Sequence, residues 1–148
     1  MAGWEFQHSV YTNAKRNDVW NYWSNMDNHA RMEPGIDRIE LDGPFETGTT
    51  GRTVTKYYTL EFELAEVSVG NHFTTIGRTP DKLGFLSFTW SFESEGRGAR
   101  MTQKIEAKGP QVGVYLDEFR KMEKAAVIGM ARLVEELDRL TKTGQNKE

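Results

Sequence analysis

Apolar and polar positions alternate along most of this chain and change to a helical spacing towards its end. In the opening segment Trp4, Phe6, His8 and Val10 fall on one face and Glu5, Gln7 and Ser9 on the other, the period-two pattern of a half-buried strand. Asn13 or Asn17 is placed to cap a short helix carrying Val19, Trp20 and Trp23. Asp27 is placed to cap a second short helical turn, which Pro34-Gly35 must end. A strand follows over Ile36 to Leu41, and Gly43-Pro44 turns the chain.

From Gly51 to about Arg100 the pattern is strand throughout. Leu60, Phe62 and Leu64 alternate with Glu61 and Glu63; Gly70-Asn71 and Pro80-Asp81 mark turns. The clearest strand sets Leu86, Phe88, Trp90 and Phe92 against Ser87, Thr89, Ser91 and Glu93. Gly96-Arg97-Gly98 is a hairpin tip, after which Met101, Gln103 and Ile105 alternate with Arg100, Thr102, Lys104 and Glu106.

Gly109-Pro110 closes this region and opens a helix, because proline suits the first helical turn. The helix runs to about Lys142, a length of roughly 45 Å at 1.5 Å per residue. Val112, Tyr115, Leu116, Phe119, Met122, Ala126, Met130, Leu133, Leu137 and Leu140 share one side of it, with charged residues opposite. The chain therefore predicts an α+β domain over residues 1–142, with Thr143 to Glu148 a polar tail. About seven antiparallel strands form a curved sheet, joined by two short helices and gripped by the long one. A straight helix on a curved sheet leaves a gap that is filled by aromatics or kept as a cavity.

Composition narrows the function more than the fold. A net charge of −3 and scattered lysines and arginines argue against a nucleic-acid surface. The absence of cysteine removes disulfides, thiolate zinc sites and thiol catalysis. No basic segment leads into an apolar run at the N-terminus, and no stretch of about eighteen apolar residues offers a membrane span. A cytoplasmic protein without integral membrane association is the expectation. His8, His29 and His72 lie in separate segments without ligand-pair spacing, so no metal and no cofactor is expected. The Gly43 to Gly48-Thr49-Thr50 spacing lacks the lysine of a phosphate loop and the long helix that should follow it.

The order and spacing of these features resemble the START/pollen-allergen-like superfamily, and within it the bacterial polyketide cyclase/dehydrase-like branch. The residues that carry the resemblance are Asp18-Val19-Trp20, Met32-Glu33-Pro34-Gly35-Ile36, Gly48-Thr49-Thr50-Gly51-Arg52 and Glu66-Val67 before Gly70. They continue through Trp90-Ser91-Phe92-Glu93, Arg100-Met101-Thr102 and Gly109-Pro110, spanning essentially the whole chain. The family often has Trp where this chain has Met32. The resemblance implies a helix-grip fold and a protein that carries hydrophobic ligands or lipids, cyclises or dehydrates them, or binds other proteins. It brings no catalytic motif.

Within that frame the candidate ligand wall is Leu60, Phe62, Phe88, Trp90, Phe92, Gln103, Phe119, Met122, Glu123 and Met130. Glu123 is the one charge inside the helix's apolar arc, and burying a lone carboxylate costs several kcal/mol unless something meets it. His8 and Gln103 are the polar members of two otherwise apolar strand faces, so a cluster of Glu123, His8 and Gln103 is the candidate polar site. The competing expectation is that Glu123 sits at the helix margin and reaches water. Three functions stay open: binding of an apolar, ring-containing small molecule; a cyclase or dehydratase using His8 or Glu123 as acid or base; and a protein-interaction module with a vestigial pocket. Ligand identity and oligomeric state are not readable.

Overall fold

The alternating segments pair into one seven-stranded antiparallel sheet in the order β1-β7-β6-β5-β4-β3-β2. The computed structural model describes residues 3–56, 59–78, 83–110 and 112–146. Its strands are β1 (Gly3–Thr12), β2 (Ile36–Leu41), β3 (Thr50–Thr55), β4 (Thr59–Ser68), β5 (His72–Arg78), β6 (Phe85–Glu95) and β7 (Gly98–Lys108). Helices α1 (Arg16–Trp23) and α2 (Met26–Met32) connect β1 to β2. A 3-10 turn (Val112–Tyr115) leads into α3 (Leu116–Asn146), which closes the chain. This is the helix-grip arrangement expected from the pattern. The expected Pro80-Asp81 turn lies outside the described residues.

The sheet bends where the side chains permit it. Phe62 on β4 stands in register with Gly51 of β3 on one side and Gly77 of β5 on the other. A Cβ at Gly51 would lie 2.4 Å from the Glu40 carbonyl oxygen, and one at Gly77 2.6 Å from that of Glu61. Only glycine admits that approach, so the strands coil around the Phe62 ring. Bulges between Ile36 and Arg38 and between Leu64 and Glu66 add curvature.

Local chemistry departs from expectation at four helix ends. Neither Asn13 nor Asn17 caps α1: Lys15 holds the N-cap without a side-chain bond. Upstream, Asp138 of α3 fastens the turn, accepting from the Thr12 hydroxyl at 2.7 Å and the Asn13 amide at 2.9 Å. At α2 the cap is Asn25, whose Oδ1 accepts from the Asp27 amide, leaving Asp27 in the first turn where its charge suits the helix dipole. The long helix starts at Leu116 rather than beside Pro110: Gly109 turns the chain at φ +146°, and Val112, Gly113 and Val114 are weak helix formers that settle into a 3-10 turn. It also continues to Asn146, into the expected tail; Lys147 and Glu148 lie outside the described residues.

The apolar side of α3 buries Phe119, Ala126, Met130, Leu133 and Leu137, whereas Leu116 and Leu140 stay exposed at its margins. Two core clusters result. One gathers Met130, Leu133 and Leu137 with Trp20, Trp23, Trp90, Phe92 and Met101. The other gathers Phe119 and Ala126 with Leu86, Ile105, Ala107 and Val112.

Candidate functional site

A cavity of about 680 Å³ opens at the seam between the two clusters. Its position follows from side-chain size along α3. Phe119 and Met130 are large and fill their ends of the core, while Ala125 and Ala126 between them leave space and line the cavity. Gly77 and the threonines Thr53, Thr55 and Thr75 do the same on the sheet. Leu60, Phe62, Phe73, Phe88, Trp90 and Ile105 supply the apolar wall, and Met122 faces them from the helix.

Of the candidate wall residues, Leu60, Phe62, Phe88, Trp90, Gln103 and Met122 line this cavity. Phe92, Phe119, Glu123 and Met130 do not. Phe92 packs edge-on against Trp20 at 5.8 Å, Phe119 stacks on Trp4 at 4.8 Å, and Met130 is 1% exposed in the first cluster. These three apolar side chains are spent on packing inside the two clusters, away from the small residues of α3 that leave the space.

The proposed polar trio is not assembled. His8 and Gln103 are Cα partners across β1 and β7, as their strands' adjacency requires. Glu123 turns elsewhere and accepts a hydrogen bond from the Trp4 indole Nε1 at 3.1 Å. Its carboxylate thus meets an indole at the helix margin, and neither Glu123 nor His8 lines the cavity. The contact joins α3 to the first strand directly above the Trp4–Phe119 stack. Glu123→Ala should therefore cost about 1 kcal/mol of stability, the usual worth of one partly exposed hydrogen bond. Urea denaturation measures this, and Trp4→Phe should remove the same increment without adding to it.

Gln103 is 3% exposed, yet its Oε1 has no hydrogen-bond partner; with Trp23 Nε1 it is one of two such buried atoms among the described residues. It sits on β7 between Met101 of one cluster and Ile105 of the other, at the seam.

Two further polar residues of the site come from α2. His29 is 5% exposed, stacks on the Trp23 ring at 3.5 Å and lines the cavity. Its Nε2 lies 2.7 Å from the Trp23 carbonyl oxygen. A carbonyl only accepts, so Nε2 carries the proton, and burial pushes the ring's pKa down to about 3. His29 is thus a neutral imidazole whose Nδ1 is a bare acceptor. Glu33 follows one turn later at the C-cap, its amide bonded to the His29 carbonyl at 2.9 Å. It keeps part of its surface accessible and lines the cavity, and its carboxyl has no hydrogen-bond or ion-pair partner among the described residues. Burial raises its carboxyl to about 7, with no charged neighbour contributing. Gly129 of α3 stands close by: a Cβ there would lie 3.2 Å from Glu33 Cγ, a tight contact.

A sequence signal for these two existed. Met26, His29 and Glu33 are spaced i, i+3, i+7, one face of a helix, and all three line the cavity.

The fold has known counterparts. The di-domain ARO/CYC StfQ from the steffimycin biosynthetic pathway matches with TM-score 0.76 and 13% identity, over 95% of this chain and 52% of that one. Norcoclaurine synthase from Thalictrum flavum, in complex with dopamine and hydroxybenzaldehyde, matches with TM-score 0.70 and 13% identity, over 92% of this chain and 86% of that one. The Zhui aromatase/cyclase from a Streptomyces species matches with TM-score 0.71 and 15% identity, over 93% and 95% of the two chains. Identities this low establish the shared fold alone. Among curated proteins no sequence matches the chain. A family model described as polyketide cyclase / dehydrase and lipid transport matches residues 3–143, nearly the full length of the described fold. The chain belongs to that family, a polyketide cyclase/dehydrase-like branch of the START/pollen-allergen-like superfamily.

Proposed function

We propose that this protein binds an apolar, ring-containing small molecule inside the cavity. The observation that carries the reading is the cavity itself: about 680 Å³, walled by Leu60, Phe62, Phe73, Phe88, Trp90 and Met122, with a few polar groups among them. That size and that lining are those of a pocket for a drug-sized ligand, in which flat aromatic walls favour stacking on a ring. Two structural counterparts named as aromatase/cyclases, and one in complex with two aromatic compounds, support a ring-bearing ligand. The enzyme reading no longer rests on His8 or Glu123, since neither reaches the cavity.

An environment-sensitive apolar dye tests the reading. It should bind the native protein saturably at one site, and Ala125→Phe should weaken it at least tenfold while circular dichroism stays unchanged. Absence of saturable binding, or binding that ignores a phenyl ring placed in the space, would overturn it. Native mass spectrometry of freshly purified protein would then identify a retained ligand by mass.

A further inference from the structure

The cavity is largely apolar in its walls, and three side chains bring it hydrogen-bond acceptors to which no described residue is seen to donate. Gln103 Oε1 is enclosed and unpartnered. His29 has committed its only ring proton to the Trp23 carbonyl, which leaves Nδ1 as an acceptor. Glu33 brings a carboxyl group with no protein partner among the described residues. The three come from two sides: His29 and Glu33 from one face of α2, Gln103 from β7. An enclosed acceptor left unmet, as Gln103 Oε1 is, costs about 1–3 kcal/mol. A plain hydrocarbon ligand would seal that cost in; a ligand with hydroxyl groups would remove it.

We infer that Glu33, His29 and Gln103 form the polar end of the binding site and that it selects ring compounds bearing an uncharged hydroxyl group. A hydroxyl donates to Gln103 Oε1 or His29 Nδ1 and can accept from the Glu33 carboxyl when that is protonated. The proton on Glu33 is available near neutrality, because burial raises its carboxyl to about 7. An ammonium group fits less well. It would have to shed its water in an apolar space and ionise Glu33, and Gln103 and His29 are both uncharged. The other charged residues around the cavity are Asp37, Lys56, Glu61, Arg78, Glu118 and Lys121, on β2 to β5 and α3; none of them shifts Glu33.

The inference rests on the cavity binding a ring-bearing molecule, and the test separates the two claims. Three probes share one ring system: 2-naphthol, 2-methylnaphthalene and 1-naphthylmethylamine. Affinities are measured by fluorescence titration in the wild type and in Gln103→Leu, Glu33→Leu and Glu33→Gln. The ratio of naphthol to methylnaphthalene affinity should fall at least tenfold in Gln103→Leu and in Glu33→Leu, while methylnaphthalene affinity holds or rises. Glu33→Gln, which keeps a donor and an acceptor, should retain the wild-type ratio. If both probes bind and the ratio is the same in all four proteins, the polar site is wrong and the cavity stands. If the amine binds tightest and loses most in Glu33→Gln, the site is a cation site and the inference is overturned. If no probe binds any folded protein, the cavity reading falls and takes this inference with it.

Discussion

Leu133→Ala and Leu137→Ala should each destabilise the protein by about 2–5 kcal/mol, the range for truncating a buried leucine when the surroundings cannot collapse into the space. Leu133 and Leu137 are 0% and 2% exposed, and they sit one turn apart in the core cluster that also holds Trp20, Trp23, Trp90 and Phe92. Rigid aromatic rings on the facing side relax poorly, which places the expected cost in the upper half of that range. Leu140 is the internal control. It was expected on the same apolar side, but it is 40% exposed, and its truncation should cost less than about 0.5 kcal/mol. Urea denaturation midpoints at constant m-value measure all three. Equal losses at Leu137 and Leu140 would mean that α3 is rotated relative to the arrangement described, and no loss at Leu133 would mean that the helix does not grip the sheet.

The contrast between Leu137 and Leu140 shows where sequence reasoning stops. Period two and helical spacing locate elements because each reports which way a side chain points. Ile36–Leu41 was readable to the residue, and the hairpin tip expected at Gly96-Arg97-Gly98 was readable to within one, since β7 already begins at Gly98. The pairing of His8 with Gln103 followed from strand adjacency once the fold was known. Helix ends were less legible. Capping is a competition among nearby polar side chains, and Asn25 beat Asp27 for α2 through a single local hydrogen bond.

The cavity was the hardest part to read, for a different reason. Burial can be inferred from residue type, but a void depends on what neighbouring side chains fail to fill. The largest apolar residues, among them Phe92, Phe119 and Met130, became core; the space lies beside Ala125 and Ala126. Small residues inside an otherwise bulky helix face were the better marker. Glu123 drew attention because it was a charge in an apolar arc, and the indole N–H of Trp4 accounts for it. Glu33 precedes a proline-glycine turn, and no local pattern in that turn marks it as enclosed. Part of its enclosure comes from α3, where Gly129, far along the chain, stands close to Glu33.

That enclosure sets the last expectation, the dependence of stability on pH. Glu33 titrates near 7 in the folded protein against an ordinary 4.5, so its folded form holds a proton that the unfolded chain has released between those values. This lowers stability as pH rises from about 4.5 to about 7. His29 acts oppositely. It titrates near 3 when folded against an ordinary 6.5, so the unfolded chain holds the extra proton and stability is lost as pH falls through that window. Between pH 4.5 and 6.5 the two states bind equal numbers of protons at this pair, and the contributions cancel. The wild type should therefore show a flat region there. Glu33→Gln removes one side of the balance, so its stability should climb by roughly 2–3 kcal/mol over the same interval, at a slope of about 1.4 kcal/mol per pH unit. Relative to wild type the variant should be unchanged at pH 4 and more stable by about 2–3.5 kcal/mol at pH 8, the lower figure applying if water in the cavity partly solvates the carboxylate. Chemical denaturation at half-unit intervals from pH 4 to 8 gives both curves. A difference between the two proteins that stays constant across that range would show that Glu33 ionises like a surface carboxylate, and its place inside the cavity would have to be given up.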